Sequence, residues 1–291
     1  MSDITEYLEQ RAYFLGCRPQ NPEGAKLILG VPLDLTTSAR TGTRLAPYRI
    51  REVSDIIDEY SIYRGISLDD CDYSDAGDII FPLGNVAASL ERIEAVAESF
   101  ISRQKRLFSL GGEHLVSLPL IKAYSRFYPD LVVVHLDAHA DLRPDYLGEQ
   151  YSHASVMRRV VEVLGKDRLF QLGIRTVAEE ELAFAREYTC LYIDQVLEKV
   201  PEVIDKVGTR PVYFSLDIDV LDPAFAPGTG TPEGAGISSR ELLQTMHQLA
   251  NLNIVGFDLV EVAPPYDAGD STSILAAKLL REALLSYGDQ R

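Results

Sequence analysis

The sequence has few cysteines, no apolar stretch long enough to span a membrane and no surplus of basic residues. Each deficit excludes something. The three cysteines, Cys17, Cys71 and Cys190, are far apart and odd in number, and no CxxC pair occurs. That excludes a disulfide framework and a cysteine-built zinc site. No apolar run approaches the ~20 residues that a transmembrane helix needs, so no membrane partner is expected. The opening residues, MSDITEYLEQ, are polar and acidic, unlike a signal peptide. The expectation is a soluble, cytoplasmic protein. With 28 basic and 44 acidic residues the formal net charge is -16. That excludes nucleic acid as a natural partner, because phosphate binding needs clustered Lys and Arg. It suits a cationic ligand, which a negative surface attracts over long range, although solubility alone is a sufficient reason for it.

What is present is the material of an α/β protein. The 291 residues are 46% hydrophobic, enough for one large domain with a real core. Short, almost continuously apolar runs read as strands covered on both faces: KLILGV (26–31), RLFSL (106–110), LVVVHL (131–136), RLFQLGI (168–174), CLYID (190–194), PVYFSL (211–216) and NIVGFDLVEV (253–262). The segment near 73–80 supplies an eighth candidate. Helical patterns lie between them. Leu90, Ile93, Ala97, Phe100 and Ile101 follow a 3.6-residue period in 86–104. Ser238 and Glu241 form a capping-box pattern at the head of 238–251, and 272–288 reads as a helix ending in glycine. Strand–helix alternation predicts a mostly parallel sheet of roughly eight strands with helices on both faces. No linker, repeat or low-complexity segment interrupts it, so a single three-layer α/β/α domain over 1–291 is expected.

In such sheets ligands bind at the carboxyl ends of the strands. Four polar features fall there. DAHAD (137–141) follows the strand LVVVHL; residues two apart share a side in extended chain, so Asp137, His139 and Asp141 converge. SLDIDVLDP (215–223) repeats the alternation with Asp217 and Asp219, while Asp222 before Pro223 shapes a turn. SLGGEH (109–114) brings His114 over a strand end, and DLVEVAPPYD (258–267) does the same for Glu261. Any one of these is more often a cap or a turn former than a ligand. The combination points to a metal site. Of the five histidines (114, 135, 139, 153 and 247), four lie between residues 114 and 153.

The donor set is two imidazoles and four carboxylates, with no thiolate nearby in sequence. Oxygen-rich sites with some imidazole suit Mn²⁺ and similar ions, and six ligands are too many for a closed tetrahedral zinc site. They suit two ions that share carboxylates. Four aspartates bring four negative charges and two divalent ions bring four positive ones. Two ions ~3.5–4 Å apart activate water as a nucleophile at neutral pH. His135 alternates with Asp137 but lies deeper in its strand, and is read as core or as a support to the ligands. His247, inside a helical pattern, is read as structural.

GGEH, DAHAD and SLDIDVLDPAFAPGTGTPE resemble the three signature motifs of the ureohydrolases, the arginase and agmatinase family. The resemblance extends from GVPLDLTTSARTGTRLAPYRIRE (30–52) to DLVEVAPPYDAGDSTSILAAKLL (258–280). It implies an arginase-like fold and a hydrolase that carries two Mn²⁺ per subunit and releases urea from a guanidine. By matching position it implies His114, Asp137, Asp141 and Asp217 around one ion, and Asp137, His139, Asp217 and Asp219 around the other, with Asp137 and Asp217 shared. It implies that His153, in QYSHAS, transfers a proton and that Glu261 pairs with the substrate guanidinium. Asp141 and His153 are then the residues expected to move the proton to the departing amine. A homo-oligomer, a trimer or a hexamer, is also implied. Two departures stand out: Glu113 where the family commonly has Asp, and TPEGAGIS (231–238) in place of the more usual Pro-Gly-Gly after the Glu.

YSHAS followed by VMRR, and GVPLD…GTRLAP…IRE, resemble agmatinases more than arginases, whose Asn- and Ser-containing segment is absent. The resemblance therefore implies agmatine as substrate, with putrescine and urea as products. Aminopropylagmatine is a close competitor. Guanidinobutyrate carries a carboxylate and needs a basic partner, for which Arg143 and Arg158 are candidates; arginine is a further alternative. A metal-binding homologue without activity, with a regulatory role, is the alternative of a different class. The presence of all six ligands, His153 and Glu261 weighs against it.

Overall fold

Residues 4–16 and 24–288 are described by the computed structural model. Its strands are β1 (Leu8–Glu9), β2 (Lys26–Val31), β3 (Tyr60–Ser61), β4 (Ile66–Ser67), β5 (Tyr73–Ile79), β6 (Arg106–Gly111), β7 (Val132–Leu136), β8 (Leu169–Ile174), β9 (Cys190–Ile193), β10 (Pro211–Asp217) and β11 (Asn253–Val260). Its helices are α1 (Ala46–Val53), α2 (Val86–Ile101), α3 (Ser117–Phe127), α4 (Val156–Leu164), α5 (Glu179–Tyr188), α6 (Val200–Val207), α7 (Ser239–Leu249) and α8 (Ser271–Ser286). Nine strands form one sheet in the order β1-β5-β2-β6-β11-β10-β7-β8-β9. All pairings in it are parallel except that of the two-residue edge strand β1 with β5. Seven of the eight longer strands are those expected from the apolar runs, and β5 is the eighth candidate near 73–80. The edge strand β1 and the separate β3–β4 hairpin are additional; two residues are too short to leave a pattern.

Strand alternation sorts the side chains into two cores. Val132, Val134, Leu136, Phe214 and Leu216 face the layer built by α1, α6, α7 and α8. Val133, Tyr213, Leu107 and Val255 face the layer of α2 to α5. This is the three-layer α/β/α arrangement. Helix starts follow local chemistry. Asn85 accepts the Ala88 N–H at 3.0 Å ahead of α2. Ser238 and Glu241 close the expected capping box ahead of α7, at 3.2 and 2.8 Å.

The chain passes from β6 to β7 through α3, and β10 and β11 later fill the gap between them. The four central strands are level: Leu110, Leu259, Leu216 and Leu136 lie in one row across β6, β11, β10 and β7. All four leucines are buried in the α1/α6–α8 core. The residues just before them, Ser109, Asp258, Ser215 and His135, form a second, polar row that points to the opposite face. Every member of that row is fully buried. A polar layer has thus been built directly beneath the carboxyl ends of the four strands.

Candidate metal centre

Asp137 and Asp217 each stand one residue past a leucine of the level row, on adjacent strands, so they meet side by side. Both are buried, at 1% and 2% exposure. Past Asp137 the chain bends at Ala138, and Asp141 takes a left-handed backbone with φ +54°. Glu261, at the end of β11, has φ +64°. A left-handed backbone at a residue with a Cβ costs of order 1–2 kcal/mol. Two of the left-handed positions that carry a side chain are thus at this site, and strain of this kind persists where the surroundings impose a function.

The six expected metal-binding residues are drawn together. His114 Nδ1 lies 3.1 Å from Asp137 Oδ2, 3.3 Å from Asp141 Oδ2 and 3.1 Å from Asp217 Oδ2. His139 Nδ1 lies 3.0 Å from Asp219 Oδ2 and 3.4 Å from Asp137 Oδ1. Backbone donors aim the acids: His139 N–H donates to Asp137, Ala138 N–H to Asp219 at 3.1 Å and Asp219 N–H to Asp217 at 2.8 Å. Among the described residues, no lysine or arginine side chain forms an ion pair with any of these four aspartates.

This donor set fits a pair of divalent cations. His114 Nδ1 is buried and has no directed hydrogen bond, although three carboxylate oxygens face it. Its other nitrogen is accounted for. Asp258 accepts hydroxyls from Ser215 and Tyr213, both at 2.7 Å. The Ser215 proton therefore goes to Asp258, and the Ser215 oxygen accepts from His114 Nε2–H at 2.9 Å. That fixes the tautomer and leaves Nδ1 bare toward the acids. Burial, and then the neighbouring carboxylates, push the Asp141 and Asp217 carboxyls well above the usual range. Clustered buried acids of this kind need positive charge among them.

His135 also crowds the cluster: its Nε2 is 2.8 Å from Asp137 Oδ2. It is a donor there and not a ligand. Gln171 places its amide nitrogen on the Ala140 carbonyl at 2.8 Å and on His135 Nδ1 at 3.1 Å, while its oxygen accepts from Thr189. His135 Nδ1 must then accept, so Nε2 carries the proton that goes to Asp137.

The cluster forms the floor of a cavity of about 140 Å³. His153 and Glu261 both line it, together with Ser38, Arg143, Tyr146 and Thr231. Glu261 Oε1 accepts the His114 N–H at 2.7 Å. Burial pushes the Glu261 carboxyl up to about 8. His153 opens the short turn His153–Ser155, and its ring meets the Tyr146 ring edge-on at 5.6 Å. Burial lowers its pKa. Of the two arginines considered for a carboxylate, Arg143 is at the cavity, over the Tyr146 ring at 5.5 Å. Arg158 instead stacks on Phe184 at 4.2 Å and does not line the cavity. His247 lies elsewhere, paired with Glu282 at 2.8 Å.

Several supports of the site carry no clear mark in the sequence. Arg175 donates to the carbonyls of Asp219, Val220 and Leu221 on one side and of Glu233 and Gly234 on the other. It thereby ties the SLDIDVLDP turn to the TPEGAG loop. Asp258 was visible as an acid inside an apolar strand, and Ser215 as the residue alternating with Asp217. Arg175 left no comparable signal, because its partners are backbone atoms at least 44 positions away, Gly173 apart.

The Arginase family model matches residues 25–286 of this chain. An agmatinase of Bacillus cereus is 47% identical over 277 residues, which span 94% of this chain and 96% of that protein. Among solved structures, the proclavaminate amidino hydrolase of Streptomyces clavuligerus superposes with a TM-score of 0.87 at 33% identity, covering 97% of this chain and 98% of its own. The agmatine ureohydrolase of Thermoplasma volcanium does so with a TM-score of 0.84 at 32% identity, covering 98% and 97%. Level strand ends, a buried His–Asp cluster above a polar row, and likeness over nearly the whole length lead to one conclusion: the chain belongs to the arginase family.

Proposed function

We propose that this protein is a hydrolase with a binuclear manganese centre that cleaves the guanidino C–N bond of agmatine to give putrescine and urea. The observation that carries the reading is the cluster of two histidines and four aspartates with Glu261 beside it in one small cavity. The agmatinase relatives direct it to agmatine. His114, Asp137, Asp141 and Asp217 would hold one ion, and Asp137, His139, Asp217 and Asp219 the other. The pair supplies water activated at neutral pH and stabilisation of developing charge.

The remaining work falls to the chain itself. One Glu261 oxygen is occupied by the His114 N–H, so the other is left for the substrate. A buried carboxyl whose pKa has risen is short of a counterion, and a planar guanidinium is one that can hydrogen-bond to it. Glu261 thereby fixes the guanidino carbon over the aspartates. Asp141 accepts a proton from the attacking water. That proton would then pass from Asp141 to the departing amine, with His153, neutral near pH 7 because burial lowers its pKa, relaying it at the cavity wall, so that Asp141 returns to its carboxylate form.

One observation favours a second reading. The cavity wall includes Arg143, and a cation there suits a guanidine that ends in a carboxylate, such as guanidinobutyrate. Urea release from agmatine, aminopropylagmatine, guanidinobutyrate and arginine by manganese-loaded protein separates the readings. Agmatine is expected to give the highest kcat/KM. A clear preference for guanidinobutyrate would move the assignment to the second reading, and no urea from any guanidine with metal bound would leave a non-catalytic homologue. We propose further that the chain acts as one domain, in the cytoplasm, as a homotrimer or homohexamer that contributes to polyamine synthesis. Sedimentation would test the assembly. No helix among the described residues is long and apolar enough to cross a membrane.

A further inference from the structure

Glu113, the departure from Asp in the first motif, points away from the aspartates. Its carboxylate turns toward the loop after β2. Oε2 accepts the Thr36 N–H at 2.8 Å and the Leu35 N–H at 3.2 Å, and the Thr37 hydroxyl oxygen stands 3.1 Å from it. The two loops are also joined by backbone: Gly112 N–H donates to Val31 at 2.9 Å and Glu113 N–H to Leu33 at 2.8 Å. Gly112 has no alternative here, since a Cβ would stand 1.9 Å from the Leu33 oxygen. Glu113 is fully buried, and the loop it grips is further tied by Asp34, which accepts from Gly42 N–H at 2.7 Å and from Thr37 at 2.8 Å.

The held loop reaches His153. The Thr36 hydroxyl oxygen accepts the His153 backbone N–H at 3.1 Å and stands 3.4 Å from His153 Nδ1. One of its two lone pairs takes the backbone donor, and its own proton, which no other acceptor among the described hydrogen bonds receives, goes to Nδ1. Ser38, on the same loop, stands 3.4 Å from Nε2 and lines the cavity. An imidazole whose Nδ1 accepts must carry its proton on Nε2, the nitrogen on the cavity side.

We propose that Glu113 is a positioning residue for His153, acting through Thr36: it fixes the 35–37 backbone so that the Thr36 hydroxyl sets the place and the tautomer of the imidazole. This rests on the reading of His153 as a proton-transfer group.

The test uses full-length, manganese-loaded Glu113→Gln, Thr36→Val and His153→Asn proteins, singly and as the pairs Glu113→Gln/His153→Asn and Thr36→Val/His153→Asn. Urea release from agmatine gives kcat and KM, and elemental analysis gives bound manganese. Losing one hydrogen bond to a reacting group predicts an about 10-fold fall in kcat for Thr36→Val and a fall of about 3- to 10-fold for Glu113→Gln, with KM and manganese content unchanged. His153→Asn is expected to lose more, and neither pair should lose more than His153→Asn alone. Wild-type kcat in His153→Asn would overturn the reading of His153. A large loss in His153→Asn with wild-type kcat in Thr36→Val would leave that reading standing and overturn the positioning proposal. Additive losses in the pairs, or loss of manganese in Thr36→Val, would also overturn it. Wild-type kcat in folded Glu113→Gln would overturn it as well, and should that variant fail to fold, Glu113→Asp, which keeps the charge but shortens the reach to the 35–37 loop, takes its place with the same expected fall in kcat.

Discussion

Replacing Ser215 by Ala removes one oxygen from a fully buried relay, with consequences for both stability and metal binding. The hydroxyl accepts from His114 Nε2 at 2.9 Å and donates to Asp258 at 2.7 Å. Deleting it orphans a ring N–H and one carboxylate oxygen, neither of which water can reach. Each unpaired buried group costs about 1–3 kcal/mol, so the metal-free protein should lose about 2–6 kcal/mol of stability. Ser117, whose hydroxyl is 3.4 Å from that of Ser215, relieves part of this by approaching the vacated position. The larger consequence is for metal. His114 is then free to turn over or to exchange its proton between nitrogens, and Nδ1 is no longer reserved for the cation. Loss of such a supporting partner typically lowers metal affinity 10- to 100-fold, or about 1.4–2.7 kcal/mol. The assay is manganese titration against a competing chelator at fixed pH, with a denaturant melt of the metal-free protein alongside. Wild-type manganese affinity in Ser215→Ala would refute the relay, whatever the melt showed.

Glu261→Gln keeps the volume and the bond from the His114 N–H but removes the charge; breaking a buried ion pair of about 3–5 kcal/mol predicts an at least ~100-fold fall in kcat/KM with manganese retained, and loss of manganese would place Glu261 in the wrong role. His139→Ala should abolish manganese-dependent turnover and halve the bound metal while circular dichroism reports a folded chain; full activity would remove His139 from the site. A last prediction concerns stability. Burial raises the Glu282 pKa, but His247, Arg281 and Ser61 outweigh it and hold the carboxyl below its ordinary 4.5. A depressed folded-state pKa contributes stability that is complete above about 4.5 and is lost as pH falls through the lower folded value. The stability difference between wild type and Glu282→Gln, from urea melts, should therefore be constant near neutrality and shrink below about pH 4.5. A difference that grew on acidification would reverse the sign of the coupling.

The central strands were legible in the sequence because helices cover both faces, so nearly every residue from Val132 to Leu136 or Val212 to Leu216 had to be apolar. The acids were legible for the complementary reason: Asp137 and Asp217 interrupt such runs at their ends, and alternate spacing placed Asp219, His139 and Asp141 beside them. β5 was harder to read. It carries Asp75 and Asp78, which are tolerable near the sheet edge only because Arg51 of α1 pairs with both, at 2.8 and 2.6 Å. Glu113, Thr36, Gln171 and Arg175 were not legible as parts of the site. Their partners lie tens of residues away, and whether an acid or amide grips a loop, a ring or solvent depends on how level the strand ends are. That alignment is a property of the sheet register, to which no local pattern corresponds.

The most direct test is urea release from agmatine measured as metal-free protein is titrated with Mn²⁺. A binuclear centre predicts no urea without metal, two equivalents bound per chain, and turnover that rises steeply with the second equivalent, because the proposal has Asp137 and Asp217 shared by both ions. Full turnover in metal-free protein, or saturation of activity at a single equivalent, would contradict it.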